Sequence, residues 1–165
     1  MKPKEILSLV TSLGTSNIDE ILFTYDIGIF YQPSLFKEKD RMDAVIITAE
    51  NGQTGIFFRI NPYPADPVQN GYINLIKWHE FGHYLIHGPE CHTRSFDLKH
   101  RSSREESEAN MFAMFALIRP SNVFNRNIFN TARSIGIPVE IAVEVIYRLS
   151  LDSDPEMQKY YSEYM

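Results

Sequence analysis

The chain has 165 residues, enough for one domain with a sizeable core, and 44% hydrophobic with 22% charged residues is the balance of an ordinary soluble globule. A net charge of −5 supplies no basic face for neutralising phosphates, which argues against direct nucleic-acid binding. No apolar run approaches the roughly 20 residues that span a bilayer. The apolar stretch after Met1-Lys2-Pro3-Lys4 is too short for a secretory leader, and the single Cys91 excludes an internal disulfide and fits a reducing compartment. One cytoplasmic domain covering residues 1–165 is therefore expected, with no membrane partner.

In chain order, Ile6, Leu9, Val10 and Leu13 form a helical stripe over residues 3–13, which Gly14 ends. A second helix over about 16–26 carries Ile18, Ile21 and Leu22, with Ser16 or Asn17 as its cap. Three strands follow, at Ile27–Tyr31, Met42–Thr48 and Thr54–Ile60. Asn51-Gly52 between the last two is a hairpin signal, so a small antiparallel sheet is predicted. Its free edge could take an extended peptide by strand addition. The prolines of Asn61–Pro67 make that stretch a loop, and the helix from about 70 to 87 stops at Gly88-Pro89. An irregular polar connection holding Cys91, His92 and His100 leads to a helix that ends before Pro120. Ser121-Asn122 can cap a further helix to about 133, and Pro138 opens one with the stripe Ile141, Ala142, Val145, Ile146 and Leu149. The end, Asp152–Met165, reads as a short helix or frayed tail.

Chemistry concentrates in His79-Glu80-Phe81-Gly82-His83, an HExxH pattern. On a helix of about 100° per residue, His83 lies about 40° from His79, His87 about 80° and Glu80 about 100°. The two imidazoles can reach one Zn²⁺, with Glu80 placed as general base for a water. Leu75, Phe81, Leu85 and Ile86 make the helix apolar on its other sides, so it belongs in the interior, where ionisable groups need pairing or coordination. Gly82, costing roughly 1 kcal/mol relative to Ala in a helix, implies that something approaches the backbone closely.

A catalytic zinc site needs a third protein ligand. Glu108 is the candidate, because on its helix it lies within about 40° of Phe112 and about 20° of Phe115, an aromatic and so inward side. Glu106, about 160° away, is expected to be exposed. Glu105 is the other possible ligand, although Ser102 with Glu105 also fits a capping box, as does Ser103 with Glu106. Exposed loop residues are the plain reading of His92 and His100, and oxyanion hydrogen bonding the functional one. Cys91 reads as an ordinary thiol or a ligand of a latent state, and His87 as a capping residue or a support to the ligands.

Together, HEFGHYLIHG and EESEANMFAMFALIRP resemble the ImmA/IrrE family of metallopeptidases, whose members pair HExGHxxLH with a later ExEANxFAxxLLxP. Ile76-Lys77-Trp78 replaces the family's usual Thr-Leu-Ala run before the first His. The resemblance implies an α+β, zincin-like core of the gluzincin kind, with a small sheet packed on a helical bundle and the HExxH helix facing a Glu-bearing helix. It further implies zinc-dependent cleavage of a helix-turn-helix repressor or antitoxin partner linked to a mobile element or stress response. Zn²⁺ is the expected metal and Mn²⁺ the alternative; His79, His83 and Glu108 would hold it and Glu80 would move the proton. The competing reading is a non-catalytic, metal-stabilised module that sequesters a regulator. Retention of Glu80 favours catalysis, since a structural site calls for a fourth ligand and not a base.

Overall fold

The computed structural model describes residues 1–88, 103–118 and 128–164. Within these residues the fold is α+β and mostly helical, in the order α1 (Pro3–Ser12), α2 (Ile18–Thr24), β1 (Ile27–Tyr31), β2 (Ala44–Thr48), β3 (Thr54–Phe58), α3 (Pro67–His87), α4 (Ser103–Leu117), α5 (Ile128–Ser134), α6 (Val139–Ser150) and α7 (Pro155–Tyr164). A short 3₁₀ turn, Pro33–Leu35, lies between β1 and β2. The expectations for Cys91, His92, His100, the Ser102 cap, Pro120 and the Ser121-Asn122 cap fall outside the described residues.

The sheet differs from the antiparallel one expected. Its order is β1-β3-β2, with β2 and β3 antiparallel across the Asn51-Gly52 hairpin but β1 and β3 parallel. The chain leaves β1, crosses beyond the place β3 will occupy, runs down β2 and turns back through the hairpin into the gap. That path puts β3 in the middle, where Ile56 and Phe58 are fully buried, and leaves Phe30 and Tyr31 of β1 exposed at an edge. Ala44, Ile46, Ile56 and Phe58 line the inner face and join the helices in one core.

Local signals explain the helices. Ile6 and Val10 of α1 and Ile18, Ile21 and Leu22 of α2 are buried as their stripes require, and the Asn17 side chain caps α2 by accepting from the Asp19 N–H. Helix α3 starts earlier than its apolar pattern: Asp66 caps it by accepting from the Gln69 N–H, and Pro67 supplies the first turn, where a missing N–H costs nothing. Lys77, buried on α3, reaches Asp19 of α2 at 2.8 Å. The α6 stripe Ala142, Val145, Ile146 and Leu149 is buried as expected.

Two glycines set how α3 packs. The Gly82 backbone is met by the Phe112 ring, which a Cβ there would approach to 3.0 Å, so Trp78, Phe81 and Phe112 form an aromatic cluster between α3 and α4. Gly71 lies against the turn between α5 and α6, and its added Cβ would sit 1.8 Å from the Ile135 carbonyl oxygen. Intrinsic propensity alone would make Gly71→Ala stabilising by about 1 kcal/mol. The clash is with backbone and cannot be relieved by a rotamer change, so we expect the substitution to lower stability by about 2 kcal/mol or more in urea unfolding. A variant as stable as the parent would show that α3 does not meet this turn.

Candidate metal centre

Helix α3 carries His79 and His83 one turn apart, and α4 packs along it to bring up a carboxylate. The His79 and His83 Nε2 atoms lie 3.1 Å apart. Glu106 Oε2 is 3.2 Å from His79 Nε2, and Glu106 Oε1 is 3.4 Å from His83 Nε2. Among the described residues, His79, His83 and Glu106 form the group whose donor atoms converge closely enough for a metal ion.

These residues fit a zinc ion on geometry and on chemistry. Tetrahedral ligands about 2.0–2.1 Å from a common centre stand about 3.3 Å from one another; the two imidazole nitrogens, and a different Glu106 oxygen against each of them, lie near that spacing. Two imidazole nitrogens and one carboxylate oxygen are also a donor set that leaves one position open, as a catalytic site requires. Burial by itself would raise the Glu106 carboxyl, but its hydrogen bonds to His79 and His83 prevail and hold it well below the usual carboxylate range. Glu106 is therefore poised as an anion.

The carboxylate is not the one expected from the helical wheel. Glu106 keeps a partly exposed side chain (44%) and Glu108 is buried, as their sides of the helix imply, yet it is Glu106 that reaches the histidines while Glu108 meets the Met1 amine, Arg104 Nε at 2.9 Å and His87 Nε2 at 3.7 Å. Desolvation pushes the Glu108 carboxyl up, while its bonds to the amine and to Arg104 pull it down and win. The physical reason is that α4 has no single inward side. Helices α3, α1 and α6 all pack on it, and Ser107, Glu108, Ala109, Met111 and Phe112 are all buried. The face carrying Glu108 turns to α1, and the face carrying Glu106 turns to the histidines. His87 follows His83 along the α3 arc, but its Nε2 lies by Glu108, outside the converging group.

Glu80 is buried, and its Oε2 accepts a hydrogen bond from the Ile46 N–H of β2 at 2.9 Å. Arg59 N–H donates to the Asp43 carbonyl and Ala49 N–H to the Gln53 carbonyl, so odd-numbered β2 residues bond to β3. Even-numbered ones, Ala44 and Ile46, turn their backbone groups outward. A cleft of about 200 Å³ runs from His79, Glu80 and Glu106 to Ala44, Tyr72 and Ile141. Its far wall is braced by the Tyr72 hydroxyl, which donates to Asp43 Oδ2 at 2.8 Å and is pushed up to about 12 by burial and by that bond. Asp43 is held in turn by Arg59 at 2.9 Å.

The sequence reading missed Asn110. Its Oδ1 lies 2.8 Å from His79 Nδ1, while its Nδ2 donates to Glu144 Oε2 at 3.1 Å. A signal was present: Asn110 follows Glu106 by one helical turn, repeating on α4 the spacing that joins His79 to His83 on α3.

Comparison of the chain with protein-family models, with curated proteins and with solved structures finds no match. No helix among the described residues is long and apolar enough to cross a membrane.

The geometry predicts that Glu106→Ala weakens zinc binding at least 100-fold, measured by competition with a chromophoric chelator, while Glu108→Ala stays within about threefold of the parent. Melting of both metal-free variants controls for folding. The opposite ranking would show that Glu108 is the ligand.

Proposed function

We propose that this protein is a zinc-dependent endopeptidase. The observation that carries the reading is the convergence of His79, His83 and Glu106 at ligand spacing beside a buried glutamate, Glu80, on the wall of a cleft. The resemblance of the two motifs to the ImmA/IrrE metallopeptidases points the same way, with Glu106 in place of Glu108 as the carboxylate ligand. A zinc ion held there supplies Lewis acidity, which activates water and polarises a peptide carbonyl.

The chain's own residues do the remaining work. Glu80 takes a proton from the attacking water and passes it to the leaving amine. The Ile46 N–H fixes the Glu80 carboxylate by one oxygen. Ala44, next along the edge of β2, offers outward backbone groups with which an extended substrate segment can pair, so that one peptide bond lies over the site. Glu106 and the two imidazoles would hold the metal, and Asn110 holds His79.

A small acidic chain with one narrow cleft suits a docked protein substrate better than general digestion. The family resemblance suggests a helix-turn-helix repressor or antitoxin encoded beside it, cut in an exposed linker. Glu80→Gln should keep zinc and fold but reduce cleavage about 10²–10⁴-fold, because the amide cannot accept the proton. Intact mass of the regulator after incubation with zinc-loaded parent and variant reads this out. A single metal-dependent cut, absent with Glu80→Gln, supports the peptidase. Stable binding without a cut by either protein would favour sequestration instead.

A further inference from the structure

We infer that Glu144, on α6, sets the polarity of the metal centre by acting through Asn110 on His79. This positioning role rests on the metal reading above and adds a residue from a helix that carries no ligand.

The argument begins with an ambiguity. Imidazole can bind a metal through Nε2 only when that nitrogen carries no proton, so His79 must keep its proton on Nδ1 and find an acceptor for it. The partner of Nδ1 is a carboxamide, and a carboxamide can present either its oxygen or its NH₂. With the oxygen toward His79, a proton is held on Nδ1 and Nε2 is left as the nitrogen that can face a metal. With the NH₂ toward His79, the proton moves to Nε2 and the metal position is blocked.

Asn110 cannot settle that choice alone. Glu144 can, because a carboxylate only accepts. Glu144 Oε2 stands 3.1 Å from Asn110 Nδ2, so the NH₂ must turn to α6 and Oδ1 must turn to His79, at 2.8 Å. Glu144 is itself held: Ser107 Oγ donates to its other oxygen, and Arg148 Nε lies 3.8 Å from that oxygen. Ser107 and Asn110 both belong to α4, one residue and one turn beyond Glu106, so the helix that brings the carboxylate ligand also carries the relay. The chain of contacts runs from Ser107 and Arg148 through Glu144 and Asn110 to the first imidazole.

A carboxylate at position 110 would need no such help, and this provides the test. Glu106 Oε2 faces His79 Nε2 at 3.2 Å and draws a proton to it when no metal is bound, so the tautomer is read in a Glu106→Ala background: there, in the metal-free full-length chain, ¹⁵N–¹H long-range correlation spectra report which nitrogen of His79 bears the proton. We expect Nδ1–H in that background. Glu144→Leu added to it should shift His79 toward Nε2–H; made alone in the parent, Glu144→Leu should weaken zinc binding about 10–100-fold, with the melting temperature of the metal-free chain nearly unchanged. Adding Asn110→Asp to Glu144→Leu should restore both the Nδ1–H form and zinc affinity to within about threefold of the parent. A purely structural role for Glu144 would not be repaired by a change on another helix.

An Nε2–H form in the Glu106→Ala chain would overturn the inference, as would Glu144→Leu leaving both tautomer and affinity as they were, or a double variant as weak as the single one. Failure of the metal reading shows differently: the parent would bind no zinc, while the tautomer shift that Glu144→Leu causes in the Glu106→Ala background would still report on the relay.

Discussion

Everything near the candidate site depends on the contact between α3 and α4. Two largely buried helices each carry ionisable side chains on the same flank, and their packing presses these together with 3.1–3.4 Å between nitrogen and oxygen atoms. The approach is fixed by the Phe112 ring seated on Gly82, beside Trp78 and Phe81. Interiors pack densely enough that this arrangement has little freedom to slide. Two imidazoles, one of them buried, held against a partly exposed carboxylate form a donor set that a cation can join, and the same geometry therefore reads as a metal site.

The surrounding elements each supply one constraint. Helix α6 provides Glu144 behind Asn110, β2 provides the Ile46 N–H behind Glu80, and the Tyr72, Asp43 and Arg59 chain stiffens the wall of the cleft. His79 and Glu80 are each oriented by a hydrogen bond from a different part of the sequence. Such support from neighbouring groups is what keeps reactive side chains in place within a fraction of an ångström.

Much of this was legible from residues alone. The strand at Ile27–Tyr31, the third strand apart from its end at Phe58 instead of Ile60, the stripes of α1, α2 and α6, the hairpin at Asn51-Gly52 and the close approach at Gly82 follow from periodicity and turn chemistry, which are local properties. The parallel pairing of β1 with β3 was not legible, because strand order depends on where the chain crosses and not on any one segment. Nor was the approach of Glu106, and not Glu108, to the two histidines. A helical wheel identifies one inward side, whereas α4 is enclosed by α1, α3 and α6 and has several, so Phe112 marked an inner face without marking the face toward the histidines. The relay through Asn110 to Glu144 joins residues far apart in sequence, and only the packing of α6 on α4 reveals it.

The central claim is that α3 and α4 share one metal ion through His79, His83 and Glu106. The most direct measurement is a crystal structure of the zinc-soaked chain with an anomalous difference map collected on either side of the zinc edge. The account predicts one strong peak about 2.0–2.2 Å from His79 Nε2, His83 Nε2 and a Glu106 oxygen. A peak bound by Glu108 in place of Glu106, or no peak beside the two histidines at saturating zinc, would contradict it.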